Sequence, residues 1–354
     1  MPVPIPSALS TVAAPVEARL REVLDAETAR WSVVDPDLTA PFDALARFVL
    51  AGGKRLRPAF CHWAFVGAGG SPTDPAVVDT GVAFELLHAF ALVHDDVMDG
   101  SATRRGERTI HVEFDATHST AAWRGESRRF GEGVAILVGD LAEVFADRLM
   151  TGAPGDAFAV WNELKIELNV GQYLDVLGTA RGGTDLATAR RIARYKSGKY
   201  TIERPLHVGA ALAGRLDELA GPLSAYGAPL GEAFQLRDDI LGTFGDEART
   251  GKPVGDDLRE GKPTPLLAIA VERAQRDDPE GAALLDRVGR PDLSDDEVTA
   301  LQELIEATGA RTEIERSIGE LTGEAVAALD QAPLATEAID ALRQLAAYVA
   351  SRDT

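Results

Sequence analysis

The sequence predicts an all-α protein of ten or more helices, with residues 1–354 forming one domain. Apolar residues recur at helical spacing along most of the chain, as in VEARLREVLDAETARW (16–31) and IDALRQLAAYVA (339–350), and alternating strand-like runs are nearly absent. The breaks between these runs are short and carry helix punctuation. With 45% hydrophobic residues over 354 positions, the chain has enough apolar surface for a large core.

Taken in order, GGSPTDP (69–75) offers Asp74 as an N-cap with Pro75 at the first helical position. A long apolar helix follows from about Val77 and runs into DDVMDG. The stretch 116–133 is weakly periodic, carries Arg124, Arg128 and Arg129, and reads as a loop, either a solvated connection or a flap near a polyanion. GAPGD (152–156), RGGT (181–184) and a polar stretch over 245–265 are further breaks, and Ser294 with Glu297 makes a capping box before the next helix. No internal repeat or low-complexity linker divides the chain.

Charge narrows the function. There are 56 acidic residues against 36 Lys plus Arg, a net charge of −20 that opposes binding to nucleic acid or to an anionic membrane surface. The single cysteine, Cys61, cannot form an intramolecular disulfide and reads as a small buried apolar residue. No run of about 18 uncharged apolar residues predicts a membrane span, and no leader-like segment opens the chain, so a soluble cytoplasmic protein is expected.

Three carboxylates, Asp95, Asp96 and Asp99, end the long apolar helix. Positions i and i+4 differ by about 40° in azimuth and about 6 Å in height, so Asp95 and Asp99 face one way while Asp96 turns about 100° aside. Clustered carboxylates repel unless cations neutralise them, and oxygen-only ligands at this spacing suit Mg²⁺; a solvated acidic helix end would read the same on this string alone. A second acidic string, FQLRDDILGTFGD (234–246), again closes an apolar helix. Two such ends facing each other could hold several Mg²⁺ ions around a diphosphate. Here the i+4 position is Gly242, so Asp238 stands without a second carboxylate on its face, and Gly242→Asp is expected to tighten Mg²⁺ binding or raise the rate. Basic residues gather beside these strings: Lys54, Arg55 and Arg57 in GGKRLRP, and Arg104 and Arg105 after the first Asp cluster. Their placement implies two anion sites, one bridged by metal and one held by Lys and Arg directly.

In this order, GGKRLRP, ELLHAFALVHDDVMDGSATRRG, YKSGKYTIERPL, FQLRDDILGTFGD and the GK…GDDLREGK region resemble the trans-isoprenyl diphosphate synthases, the polyprenyl synthetase family, over roughly 45–264. The resemblance implies an isoprenoid-synthase helical bundle around a central cavity, usually homodimeric. It also implies a magnesium-dependent prenyltransferase of isoprenoid biosynthesis that joins isopentenyl diphosphate head to tail to dimethylallyl, geranyl or farnesyl diphosphate. By motif position, Asp95, Asp99 and Asp238 would ligate Mg²⁺, three ions per active site, with Asp96 and Asp239 in support. Arg104, Lys196 and Lys252 would bind the allylic diphosphate, with Ser197 and Lys262 beside them. Gly53, Lys54, Arg57, His88 and Arg105 would bind isopentenyl diphosphate, and Gln235 would face the reacting carbon. His88 could equally be a buried structural histidine. A terpene cyclase would need only one diphosphate site, and a catalytically silent partner subunit would not need the intact DDVMD and GGKRLRP strings.

Product length is expected to be set below Asp95 on its own helix. Ala91 lies one turn down on nearly the same azimuth, while Phe90, about 7.5 Å down the axis, is bulky enough to close a tunnel, with Leu87 a turn further. Phe90 could instead be ordinary core. An aromatic at this fifth position resembles the pattern of geranylgeranyl diphosphate producers, with farnesyl diphosphate the second expectation.

Overall fold

The computed structural model describes residues 4–182, 185–245, 254–290 and 292–352. Its first half is α1 (Ser7–Ser32), α2 (Thr39–Leu50), α3 (Leu56–Gly67), α4 (Pro75–Asp99), α5 (Ile110–Thr120), α6 (Ser127–Met150), α7 (Gly155–Arg181) and α8 (Leu186–Ala193). A π-helical stretch, Arg194–Glu203, continues directly into α9 (Arg204–Leu212), and α10 (Leu216–Phe244) follows. The remainder is α11 (Asp256–Glu260), α12 (Pro265–Asp277), α13 (Pro279–Leu285), α14 (Asp295–Ala307), α15 (Ala310–Ala328) and α16 (Thr336–Ser351). Among the described residues the only strands are β1 (Thr103–Arg104) and β2 (Glu107–Arg108), an antiparallel pair.

The punctuation works as expected. Asp74 caps α4 by accepting from the Ala76 N–H at 2.9 Å, with Pro75 as first residue, and Ser294 and Glu297 close a capping box on α14. The stretch 116–133 differs from its expected loop. Only residues 121–126 leave the helices, because His118, Trp123 and Phe130 pack against one another with ring centroids 5.3 to 5.9 Å apart and hold α5 against α6.

Two apolar clusters fill the interior. The larger gathers α1 to α7, α9 and α16; the smaller lies among α11, α12, α14 and α15. Helix α10 joins them, giving Leu223, Tyr226 and Leu230 to the first and Ala233, Leu236 and Ile240 to the second. Its C-terminal part, with Asp238 and Asp239, therefore lies between the two clusters. Helix α4 is buried in the first, with Phe84 edge-on to Trp161 at 5.3 Å. By length and composition α4 could cross a membrane, but Glu85 interrupts its apolar run, and 67% of the most apolar window is buried inside the protein and serves as core. Cys61 is fully buried, and burial raises its thiol pKa.

One buried ion pair fixes the entrance to the basic half of the molecule. Arg55, at φ 53° just before α3, is 3% exposed and donates to Glu85 of α4, to Glu17 of α1 at 3.3 Å and to the Val49 carbonyl of α2 at 3.1 Å. It thus ties three helices to the Lys54–Arg57 turn. Removing one partner would strand a buried charge, so Glu85→Ala is expected to lower unfolding free energy by about 3–5 kcal/mol in urea titration.

Candidate active site

The end of α4 delivers its three carboxylates in different directions. Asp96 turns inward, is 2% exposed, and accepts from the Arg104 guanidinium at 2.6 to 3.0 Å. Asp95 accepts from Lys196 Nζ at 2.9 Å and from Gln172 Nε2 at 2.8 Å. Lys196 also holds Asp175 at 2.6 Å, and Asp99 lies 3.4 Å from Lys262 Nζ. Burial raises the Asp95 carboxyl, but Lys196 and Lys262 outweigh it and hold that group well below the usual range. Asp99 is pushed up to about 6 by burial, Lys262 opposing and the Asp95 charge adding to the rise.

Across the cavity, α10 supplies Asp238 and Asp239. Asp238 accepts from Arg352 Nη2 at 2.5 Å, and Asp239, 2% exposed, accepts from Gln235 at 2.8 Å. Burial raises the Asp239 pKa far above its ordinary value, the Gln235 hydrogen bond opposing and Asp257, Asp238 and Asp175 adding to it. The second oxygen of Asp239 is buried with no partner among the described residues. A cation reaching this wall would give it one, so the donor chemistry fits a hard divalent metal.

Gly242 overturns one expectation. A Cβ there would lie 2.0 Å from Oδ2 of Asp257, a residue of α11. The space that a carboxylate at position 242 would need is already occupied by a carboxylate from another element, so the gain expected from Gly242→Asp is withdrawn.

The basic half is built on β1–β2 and the turn before α3. Arg105 and Gly106, at φ 55° and 78°, are the two central residues of the hairpin, where the strand twist requires left-handed backbone. This aims Arg105 back toward the Lys54 turn, where its Nη1 donates to the Gly52 carbonyl at 2.5 Å. Arg57 lies over the Tyr200 ring at 4.2 Å and donates to Thr201 Oγ1 at 3.0 Å, and the Tyr200 hydroxyl meets His88 Nδ1 at 2.8 Å. Lys54 stands 5.9 Å from the Tyr348 ring centre.

These groups line two neighbouring cavities. One, of about 340 Å³, holds Asp95, Arg104, Lys196, Gln235, Asp238 and Lys262 on its wall, with Asp239, Ser197 and Asp257 beside them. The other, of about 440 Å³, is lined by Gly53, Lys54, Arg57, His88 and Arg105, with Ala91 and Leu168 on its apolar side. Asp95, Lys196, Ser197 and Asp238 face both. Phe90 and Leu87 line neither: Phe90 meets His94 edge-on with ring centroids 4.6 Å apart, and Leu87 is fully buried core. Lys252 lies outside the described residues.

Asp95 and Asp99 lie close enough for the Asp95 charge to raise the Asp99 pKa, and Lys262 acts on both. No three metal-ligating side chains among the described residues form a ready group, because each carboxylate leans toward its own cation. Asp175, Gln172, Tyr200, Thr201, Asp257 and Arg352 were missed by motif reasoning. Tyr200, Thr201 and Asp257 lie within strings already singled out; Gln172, Asp175 and Arg352 carried no local signal.

An all-helical bundle with an acidic cavity sharing a wall with a basic one defines an enzyme for diphosphate substrates. The chain belongs to the polyprenyl synthetase family, whose pattern matches residues 39–305, and is a trans-prenyltransferase. A geranylgeranyl pyrophosphate synthase of Corynebacterium glutamicum, solved with isoprenyl diphosphate and magnesium, is similar at TM-score 0.92 and 38% identity over 97% of this chain and 99% of that one. The geranylgeranyl diphosphate synthase of Mycobacterium tuberculosis (strain ATCC 25618 / H37Rv) is 33% identical, covering 83% of this chain and 79% of its own. A geranylfarnesyl diphosphate synthase of Aeropyrum pernix is 34% identical over 75% and 80%.

Gly242→Asp would press two carboxylates together in a partly buried wall. Calorimetric titration with Mg²⁺ and inorganic pyrophosphate is expected to show affinity within about threefold of the parent, because the new carboxylate displaces that of Asp257 instead of adding to it.

Proposed function

We propose that the enzyme joins isopentenyl diphosphate head to tail to allylic diphosphates and releases mainly geranylgeranyl diphosphate. The observation that carries this is the shared wall: an acidic, metal-suited cavity and a cation-lined cavity meet at Asp95, Lys196, Ser197 and Asp238. One diphosphate would be held on each side, with the reacting carbons between them.

Asp95, Asp99 and Asp238 would hold Mg²⁺, three ions by family resemblance, with Asp257 supplying the carboxylate that position 242 lacks. Bound metal would neutralise the allylic diphosphate and stabilise the negative charge that grows on it as the carbon–oxygen bond breaks. Arg104, Lys196 and Lys262 add fixed positive charge on the same wall. Arg104 is held in place by Asp96, and burial, which lowers the pKa of Lys196 and of Lys262, is outweighed by their carboxylate neighbours, so both stay protonated. On the other side Lys54, Arg57, His88 and Arg105 would hold isopentenyl diphosphate, whose double bond attacks the allylic carbon as the allylic diphosphate departs, the resulting cation then losing a proton to that released diphosphate. Burial and the surrounding arginines keep His88 neutral, which suits a hydrogen-bond donor and not a proton store. Gln235 braces Asp239 beside the reacting centre.

Ala91, small and on the cavity wall, leaves room for the growing chain along α4. We also read the enzyme as a cytoplasmic homodimer working through a single domain. Helices α6 and α7, tied by Trp161 and Lys165 to Asp147, leave Leu137, Val144, Ile166, Val170 and Tyr173 exposed. An exposed apolar face of this kind suits a second copy of the chain.

The direct test is purified protein with Mg²⁺, labelled isopentenyl diphosphate and each allylic primer, products being resolved by chain length. Geranylgeranyl diphosphate should dominate, Asp95→Ala should lower the rate by at least about 100-fold, and Ala91→Phe should shorten the product. Because ligating carboxylates must be ionised, metal affinity should weaken as pH falls through about 6, where Asp99 takes up its proton. In the metal-free protein the sign reverses: a raised carboxyl pKa favours the fold at low pH, and that contribution fades as pH rises toward 6. No turnover with any primer would overturn the reading.

For the dimer, light scattering at micromolar concentration should give twice the 37.6 kDa chain mass. Val170→Glu should shift it toward the monomer.

A further inference from the structure

The π-helical stretch Arg194–Glu203 carries one residue that the reaction as assigned does not use and that touches two of the isopentenyl-side groups at once. Tyr200 is 4% exposed. Its hydroxyl lies 2.8 Å from His88 Nδ1, and its ring face carries the Arg57 guanidinium 4.2 Å from the centroid. Thr201, the next residue, accepts from Arg57 Nη2 at 3.0 Å, so the same turn grips the guanidinium at its face and at one edge. The turn itself cannot slide. A Cβ on Gly231 of α10 would lie 2.7 Å from the Gly198 carbonyl oxygen, and a Cβ on Gly171 of α7 would lie 2.3 Å from the Lys196 backbone nitrogen. Close backbone approach on two sides fixes where Tyr200 stands.

The direction of the Tyr200–His88 hydrogen bond follows from donor supply. The phenol has one proton, and among the described residues His88 Nδ1 is the only partner of its oxygen. If the imidazole donated instead, the phenol proton would be left buried and unpaired, at a cost of roughly 1–3 kcal/mol. Burial raises the phenol pKa and lowers that of His88, Arg57 and Arg105 adding to the latter, so neither group escapes the choice by ionising. The phenol therefore donates to the Nδ1 lone pair. A neutral imidazole with a lone pair on Nδ1 carries its proton on Nε2. Nε2 has no partner among the described residues, and His88 lines the cavity with Lys54, Arg57 and Arg105. The opposite tautomer would present a lone pair to a diphosphate oxygen and repel it.

We propose that Tyr200 is a positioning residue for isopentenyl diphosphate: its hydroxyl sets the His88 tautomer so that Nε2–H donates to the diphosphate, and its ring sets the plane of Arg57. The proposal rests on the assignment of this cavity to isopentenyl diphosphate. Tyr200 lines the same cavity and acts through the two residues it holds.

The test uses the full-length enzyme labelled with ¹⁵N-histidine, the His88 signals being identified by their loss in His88→Gln. Long-range ¹H–¹⁵N spectra should show His88 protonated on Nε2 in the native enzyme and on Nδ1, or mixed, in Tyr200→Phe. Tyr200→Phe keeps the ring under Arg57, so KM for isopentenyl diphosphate should rise about tenfold, the value of one well-placed hydrogen bond, with kcat within about threefold. Tyr200→Leu, which also removes the face beneath Arg57, should raise that KM further. A native Nδ1–H tautomer, an unmoved tautomer in Tyr200→Phe, or a moved tautomer with unchanged KM would each overturn the proposal. The tautomer is readable in protein that turns over nothing, so failure of the assigned reaction and failure of this inference are separate results.

Discussion

Carboxylates held out of water by cations from distant parts of the chain are the constraint on which the site depends. Asp95, Asp96, Asp99 and Asp238 are each drawn to a basic side chain, Lys196, Arg104, Lys262 and Arg352 respectively. A buried or half-buried carboxylate without such a partner would cost several kcal/mol, so these pairings decide how α4, the π-helical turn, the hairpin and α10 meet. They also explain why the acidic residues do not collapse onto one point. The arrangement is a lattice of opposite charges, and a metal–diphosphate complex bound as proposed would replace one set of partners by another.

The division into two cavities follows from the same lattice. Lys196 stands in the shared wall because the π-helical turn projects it between α4 and α7, while Tyr200, further along that turn, reaches across to α3 and α4. A π turn carries an extra residue and so breaks the 3.6-residue periodicity that would otherwise decide which side chains share a face.

What was legible in the sequence had local causes. The N-cap at Asp74, the capping box at Ser294 and the apolar stripe of α4 each act within a few residues, and each is where the sequence puts it. Asp95, Lys54, Arg57 and Lys196 were found because motifs hold them in fixed local settings. Arg352 and Asp175 were not, because their role comes from reaching across more than twenty residues of chain to a carboxylate or an amine that no local pattern names. The reading of Gly242 as a gap failed for a related reason: the carboxylate in that space belongs to Asp257, fifteen positions on and in another helix. The stretch 116–133 misled because its periodicity is set by a His–Trp–Phe cluster at the seam between two helices and not by either helix alone.

A positive pocket inside a strongly negative body has a kinetic side as well. With a net charge of −20, the field felt by an approaching molecule more than a Debye length away, about 10 Å at 0.1 M salt, is repulsive to a bare diphosphate and attractive to a divalent cation. The cavity cations act only once the ligand is at the mouth. Adding salt should therefore speed the encounter with metal-free diphosphates, the reverse of ordinary electrostatic steering, while ligands that arrive already neutralised by metal meet little barrier. The acidic shell would in this way sort its visitors by net charge before the arginines and lysines inside ever touch them.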